Sequence, residues 1–185
     1  EVVGTMGQVK SKIYLIEKIE DIKSLPFNKN DKVAYVTQTT LSIDDTKDII
    51  AEIKKKFPKS IEPKKNDICY ATTNRQEAVK HIAKKCDYFL VIGSNNSSNS
   101  LRLVEVAKNY GAKKCILIEN IDELDTTIFK SVKSIGITAS ASSPEILVKN
   151  LIEVLSKKYE LNIIESSFEK EDVHFKIPQI LKEAI

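Results

Sequence analysis

The sequence predicts an α/β fold whose βαβ units share a mostly parallel sheet. Two observations carry this. Short apolar runs such as Tyr88–Ile92 and Cys115–Ile118 alternate with longer stretches of helical periodicity nearly throughout. Polar clusters rich in Ser, Thr and Asn stand where a run hands over to a helical stretch. The 185 residues suit one or two domains, and 42% hydrophobic content is enough for a packed core.

In chain order, Ile13–Ile16 reads as a strand, Lys18–Leu25 as a short helix and Val33–Thr37 as a second strand. Ser42 opens a long helix, with Asp45 three residues on completing a shortened capping box. Ile43, Ile50, Ile53 and Phe57 line its buried side, and Pro58 stops it. The polar stretch Pro63–Asn66 is the most plausible domain boundary. Thr73 or Asn74 caps the next helix, whose stripe is Ala78, Val79, Ile82 and Ala83. The strand Tyr88–Ile92 follows, then a helix from about Asn99 to Tyr110 closed by Gly111. Next come the strand Cys115–Ile118, a short helical stretch near Ile121–Phe129 and the strand Ser134–Thr138. Ser143 and Pro144 start a helix as cap and first residue, running to about Lys158 through Ile146, Leu147, Leu151, Ile152 and Leu155. Leu161–Ile164 and Val173–Ile177 read as strands of a tail.

Charge is balanced, 29 basic against 26 acidic residues, without a basic block, so no nucleic-acid partner is expected. No apolar run approaches the roughly 20 residues of a membrane span. The three cysteines form neither a CxxC pair nor a disulfide framework, which favours a reducing compartment. The sequence begins at Glu1 without Met, as expected of a processed chain or a fragment.

Chemistry concentrates in three polar cassettes: Thr37–Thr40, Gly93–Ser100 and Gly136–Ser143. Each lies where a strand meets a helix, at the edge where open parallel sheets bind ligands. Helix N-termini offer N–H donors and a favourable dipole to an anion. Such residues are also ordinary caps, and one cassette alone means little. In the second, however, every residue after Gly93 is Ser or Asn, more than a cap requires. Cys69 falls just before a helix, where the positive end of the dipole favours a thiolate; the alternative is a buried cysteine ahead of an ordinary helix. Cys86 and Cys115 read as core thiols, and His81 and His174 as residues pointing away from buried faces.

Five segments in order, Glu1–Gln8 (EVVGTMGQ), Thr37–Thr46 (TQTTLSIDDT), Asp67–Glu77 (DICYATTNRQE), Gly93–Ser100 (GSNNSSNS) and Gly136–Val148 (GITASASSPEILV), resemble the LytB-type 4-hydroxy-3-methylbut-2-enyl diphosphate reductases. This family consists of oxygen-sensitive iron–sulfur enzymes of non-mevalonate isoprenoid synthesis. The resemblance implies three pseudo-symmetric α/β domains around a central [4Fe-4S] cluster. On that plan residues 1–65 are the remainder of the second domain, 66–155 the third and 156–185 the C-terminal tail. It implies reductive removal of the substrate's allylic hydroxyl, giving isopentenyl and dimethylallyl diphosphate, with reduced ferredoxin or flavodoxin as donor. The implied setting is cytoplasm, or a plastid-type stroma. Cys69 matches one of three cluster ligands. Glu1 matches the proton-delivering acid, assisted by Thr39. Ser97, Ser98, Asn99 and Ser142 match diphosphate-holding positions, and Thr40 is counted with them.

The family's other two cluster cysteines and its three active-site histidines lie upstream of the motif that Glu1 opens. The expectation is therefore a C-terminal portion of a longer reductase, poorly stable and inactive by itself. Asn95 stands where a lysine is usual and Ser140 where a glycine is usual. Two other readings remain: a phosphate-ligand-binding module without catalysis, and a shortened relative acting as a partner protein.

Overall fold

The computed structural model describes residues 1–64, 67–165 and 177–178. Its centre is a three-stranded parallel sheet of β1 (Tyr88–Ile92), β2 (Lys114–Ile118) and β3 (Ile135–Ala139), in the order β2-β1-β3. Register is fixed along all five positions, pairing Ile92 with Ile118 on one side and with Ala139 on the other. β1 is apolar without alternation because both its faces are covered. Phe89 and Val91 point to one core, Leu90 and Ile92 to the other.

The first core is roofed by α4 (Tyr70–Ala83) and α5 (Ser98–Asn109) through Val79, Ala83, Leu103, Val106 and Ala107. The second is closed by α6 (Glu145–Ser156) through Leu151 and Leu155, with Phe129 beside them. Gly111, at φ +95°, supplies the left-handed residue that ends α5. Gly136 has no room for a side chain, since a Cβ would meet the Phe89 ring at 2.6 Å.

At the amino edge Asp87 gathers the starts of all three strands. It pairs with Lys113 at 2.6 Å and accepts from the backbone N–H groups of Lys133 and Ser134. Those donors, Lys113 foremost, lower its carboxyl to about 2.

A separate small core joins α2 (Ile19–Lys23) to α3 (Ile43–Lys56) through Ile22, Ile53 and Phe57. Tyr14 and Phe27 extend it edge to face, with ring centroids 5.1 Å apart. Polar contacts tie α3 to the sheet half. Asp44 accepts from Lys80 at 2.6 Å and from Tyr110 at 2.7 Å, and Asp45 pairs with Arg102 at 2.9 Å. Burial penalises the Lys80 charge, but Asp44 and Glu77 outweigh it and hold the ammonium well above its ordinary value.

Several expectations need correction. Ile13–Ile16 and Leu161–Ile164 form no strand, and Val33–Thr37 contributes only the isolated parallel bridge Ala34–Ile61. A strand needs a ladder, and these runs find none among the described residues. Ile16, Val33 and Tyr35 bury instead against the small core. Asp45 makes no capping box: Ser42 Oγ accepts from the Asp44 N–H, while the Asp45 carboxylate is taken by Arg102. Ile43 and Ile146 are exposed, each lying in the first turn of its helix beyond the edge of the core. Pro144 is the cap of α6 and not its first residue, because Ser143 Oγ turns inward to Ser140 Oγ and the Ile92 carbonyl. The helical stretch after β2 resolves into 3₁₀ turns at Ile121–Glu123 and Thr126–Phe129.

Buried clusters fall on both sides of the expected boundary, whose Lys65 and Asn66 lie outside the described residues. So do His174 and all of the strand expected at Val173–Ile177 except Ile177. Among the described residues no helix is long and apolar enough to cross a membrane.

Candidate functional site

The connections of β1 set the location. The chain leaves β1 through α5 to β2 on one side, then returns past β1 to β3 on the other. Loops after β1 and β3 therefore diverge above the sheet's carboxyl edge, the switch point where such folds hold ligands. The register sets Gly93 next to Ser140. Ser140 N–H donates to the Ile92 carbonyl at 2.9 Å, and Ser143 Oγ donates to the same carbonyl at 3.2 Å. The second and third cassettes thus leave the sheet side by side.

Within the second cassette Ser97 caps α5, its Oγ accepting from the Ser100 N–H at 3.3 Å. Ser98 is exposed in the first turn. Asn99 is 8% exposed, yet neither its amide nitrogen nor its amide oxygen has a hydrogen-bond partner. A buried amide with both ends unmatched costs stability, about 1–3 kcal/mol on protein scales, so something must offset it. Its unmatched Nδ2, at the start of a twelve-residue helix, is a donor of the kind an anion accepts from. Gly93 is needed for the close turn, since a Cβ there would collide with the Ser100 side chain. Ser142 is exposed on the adjoining loop.

The second group of residues is built on α1 (Val2–Gly7) and the Thr37–Thr40 cassette. Thr39 Oγ1 donates to Glu1 Oε1 at 2.9 Å, and Thr40 Oγ1 donates to Glu1 Oε2 at 3.3 Å. Each carboxylate oxygen is thus held by a different hydroxyl. The Cys69 N–H donates to the Thr39 carbonyl at 3.0 Å, which brings the cysteine to the same place. The neighbouring Thr37 N–H is taken by Asp67 at 2.8 Å. Thr40, expected among the substrate contacts, has its hydroxyl engaged at Glu1.

Cys69 is itself the cap of α4, so that helix starts before the expected Thr73 or Asn74. Its carbonyl accepts the Thr72 and Thr73 N–H groups at 3.0 Å, while its thiol makes no capping bond. The cysteine is exposed, which overturns the alternative of a buried thiol. α4 runs into β1 through the turn 84–87, so it lies antiparallel to the strand. Its N-terminus therefore points to the carboxyl edge, the edge that holds both serine-rich loops. Cys86 and Cys115 belong to the core, and burial raises both thiols. Among the described residues no three His, Cys, Asp or Glu side chains group to hold a metal. His81 is exposed on α4.

Two roles were not read from the sequence, that of Ser100, which closes the second cassette, and that of Glu119. Ser100, fully buried, accepts the Ser94 N–H at 3.2 Å and fixes the loop from inside. Glu119, just after β2, accepts from the Asn95 N–H at 2.8 Å and from the Asn95 side-chain amide at 2.5 Å. The Asn95 N–H, the Ser94 hydroxyl and the Asn95 amide lower its carboxyl below the ordinary range. The cassette did not show that Ser100 turns inward, and a lone carboxylate behind a strand carries no motif. The one available signal for Glu119 was its position at the carboxyl end of β2.

The family model described as LytB protein matches residues 1–156. The 4-hydroxy-3-methylbut-2-enyl diphosphate reductase of Ruegeria sp. (strain TM1040) is 46% identical over 187 residues, covering 100% of this chain and 58% of the relative. Its counterpart in Haemophilus influenzae (strain PittGG) is 50% identical over 186 residues, covering 98% of this chain and 59% of the relative. The solved structure of the E-1-hydroxy-2-methyl-but-2-enyl-4-diphosphate reductase from Plasmodium falciparum superimposes with a TM-score of 0.84 at 34% identity, over 99% of this chain and 59% of that one. The chain spans about 58% of the length of such relatives. With its fold, its loop motifs and 156 consecutive matched residues in agreement, the chain belongs to the LytB family.

Proposed function

We propose that this chain provides the diphosphate-holding loops and the proton-delivering carboxyl of a 4-hydroxy-3-methylbut-2-enyl diphosphate reductase. One observation carries the reading: Thr39 and Thr40 clamp the Glu1 carboxylate, and Cys69 is bonded to Thr39 through the backbone. Losing an allylic hydroxyl as water requires a proton on the departing oxygen. A carboxyl with each oxygen held by a hydroxyl keeps a fixed plane, so its proton leaves in a set direction. Ser97, Ser98, Asn99 and Ser142 would hold the diphosphate, with the α5 N-terminus supplying N–H donors and favourable dipole.

The family resemblance implies a [4Fe-4S] cluster for this reduction. Cys69, exposed at a helix start, suits a thiolate ligand. The described residues do not make a complete cluster site, because the other two cysteines are committed to the core. Further ligands would come from outside these 185 residues. Reduced ferredoxin or flavodoxin as donor, and cytoplasm or plastid stroma as setting, belong to the same reading.

Glu1→Gln, made in the protein as its source cell produces it and assayed anaerobically with a reduced viologen dye, tests this directly. Turnover should fall about a hundredfold, with KM changed little. A turnover within twofold of the unsubstituted enzyme would overturn the role of Glu1.

A further inference from the structure

We propose that Glu119 is a positioning residue that sets the Gly93–Ser100 loop for anion binding; the proposal rests on the diphosphate reading above. The Gly93 N–H donates to the Ile118 carbonyl at 3.0 Å, extending the β1–β2 ladder one residue beyond the strand. The loop therefore leaves the sheet next to Glu119. Both carboxylate oxygens are then spent on Asn95, one on its backbone N–H and one on its side-chain amide. Ser94 hydrogen-bonds to the same carboxylate.

The restraint reaches the ligand-holding residues in short steps. Ser94 Oγ accepts the Asn96 N–H at 3.2 Å, and the Ser94 N–H donates to Ser100 Oγ at 3.2 Å. The Ser100 N–H in turn donates to Ser97 Oγ at 3.3 Å. Glu119 thus fixes the ascending arm of the loop from the β2 side, while Ser100 fixes it from within. Asn99, with its unmatched buried amide, sits between these restraints. None of the Glu119 contacts requires it to touch the ligand.

Two explanations of this carboxylate predict opposite signs. A negative charge beside an anion site is unfavourable by Coulomb's law, so a bystander's removal would tighten binding. An anchor's removal lets the loop relax and weakens binding. Glu119 and Asn95 are both exposed, so their substitution leaves the core intact.

The experiment is calorimetric titration of the protein, as its source cell makes it, with inorganic pyrophosphate, with thermal unfolding measured in parallel. Glu119→Ala should weaken binding about tenfold, as expected for losing charge-assisted hydrogen bonds, without shifting the unfolding midpoint. Glu119→Gln, which keeps the shape and one acceptor, should fall between. Asn95→Ala added to Glu119→Ala should weaken binding no further, since both act through one contact. Equal or tighter binding by Glu119→Ala overturns the proposal. Failure of that unsubstituted protein to bind pyrophosphate would overturn the diphosphate reading itself, and this proposal with it, before any variant is compared.

Discussion

The two halves of the molecule hold their functional groups in different ways. In the sheet half the serine-rich loops spring from strands buried on both faces, with Phe89, Leu90 and Val91 fully enclosed. In the N-terminal half Glu1 precedes α1, a six-residue helix with no buried residue. Its carboxyl is held where it is by two threonine hydroxyls. The small core behind it has three fully enclosed or nearly enclosed apolar residues and one bridge in place of a sheet. Anion binding needs several donors fixed relative to one another, which a sheet edge provides. The proton-donor role proposed for Glu1 needs one group aimed correctly, for which a pair of hydroxyls is enough.

The contrast can be broken by substitution. Leu151→Ala removes a fully enclosed side chain from the core under α6 and should destabilise the sheet half by about 2–5 kcal/mol. Urea unfolding would read it, and a loss under 1 kcal/mol would mean that this half is as loosely packed as the other. At the opposite extreme stands Val3→Ala. Val3 is 85% exposed, so its truncation should change stability by less than about 0.5 kcal/mol in the same titration. A larger loss would show that α1 is packed in this chain after all.

The same contrast decides what could be read from the residues alone. The three strands were placed to within a residue, because short apolar runs such as Tyr-Phe-Leu-Val-Ile, bounded by polar or glycine residues, mark their own ends in the sequence. Gly111 was correct as a helix stop for the same local reason. Ile13–Ile16 and Val33–Thr37 have similar composition, but pairing is not a local property. These runs found burial against Ile22 and Phe57 without a ladder. The α4 start was placed late because Tyr70, Ala71 and Thr72 lie ahead of the apolar stripe, and cysteine is not a usual cap. The cassettes were visible as polar runs, and the resemblance gave them roles. The Glu1–Thr39–Cys69 grouping joins segments nearly forty and seventy residues along the chain; the resemblance paired Glu1 with Thr39, and the fold adds the backbone bond that brings Cys69 to them. Asn99 looked like any polar residue in a first turn until burial left its amide without partners.

Cys69→Ser offers the most direct test of the central claim that this chain is the ligand-holding part of an iron–sulfur reductase. The protein should be purified anaerobically as its source cell makes it, and iron and sulfide counted in both forms. The account predicts a brown unsubstituted protein whose cluster is lost or sharply depleted in Cys69→Ser, with pyrophosphate binding retained. A source protein without iron, or a cluster content unaffected by Cys69→Ser, would contradict it.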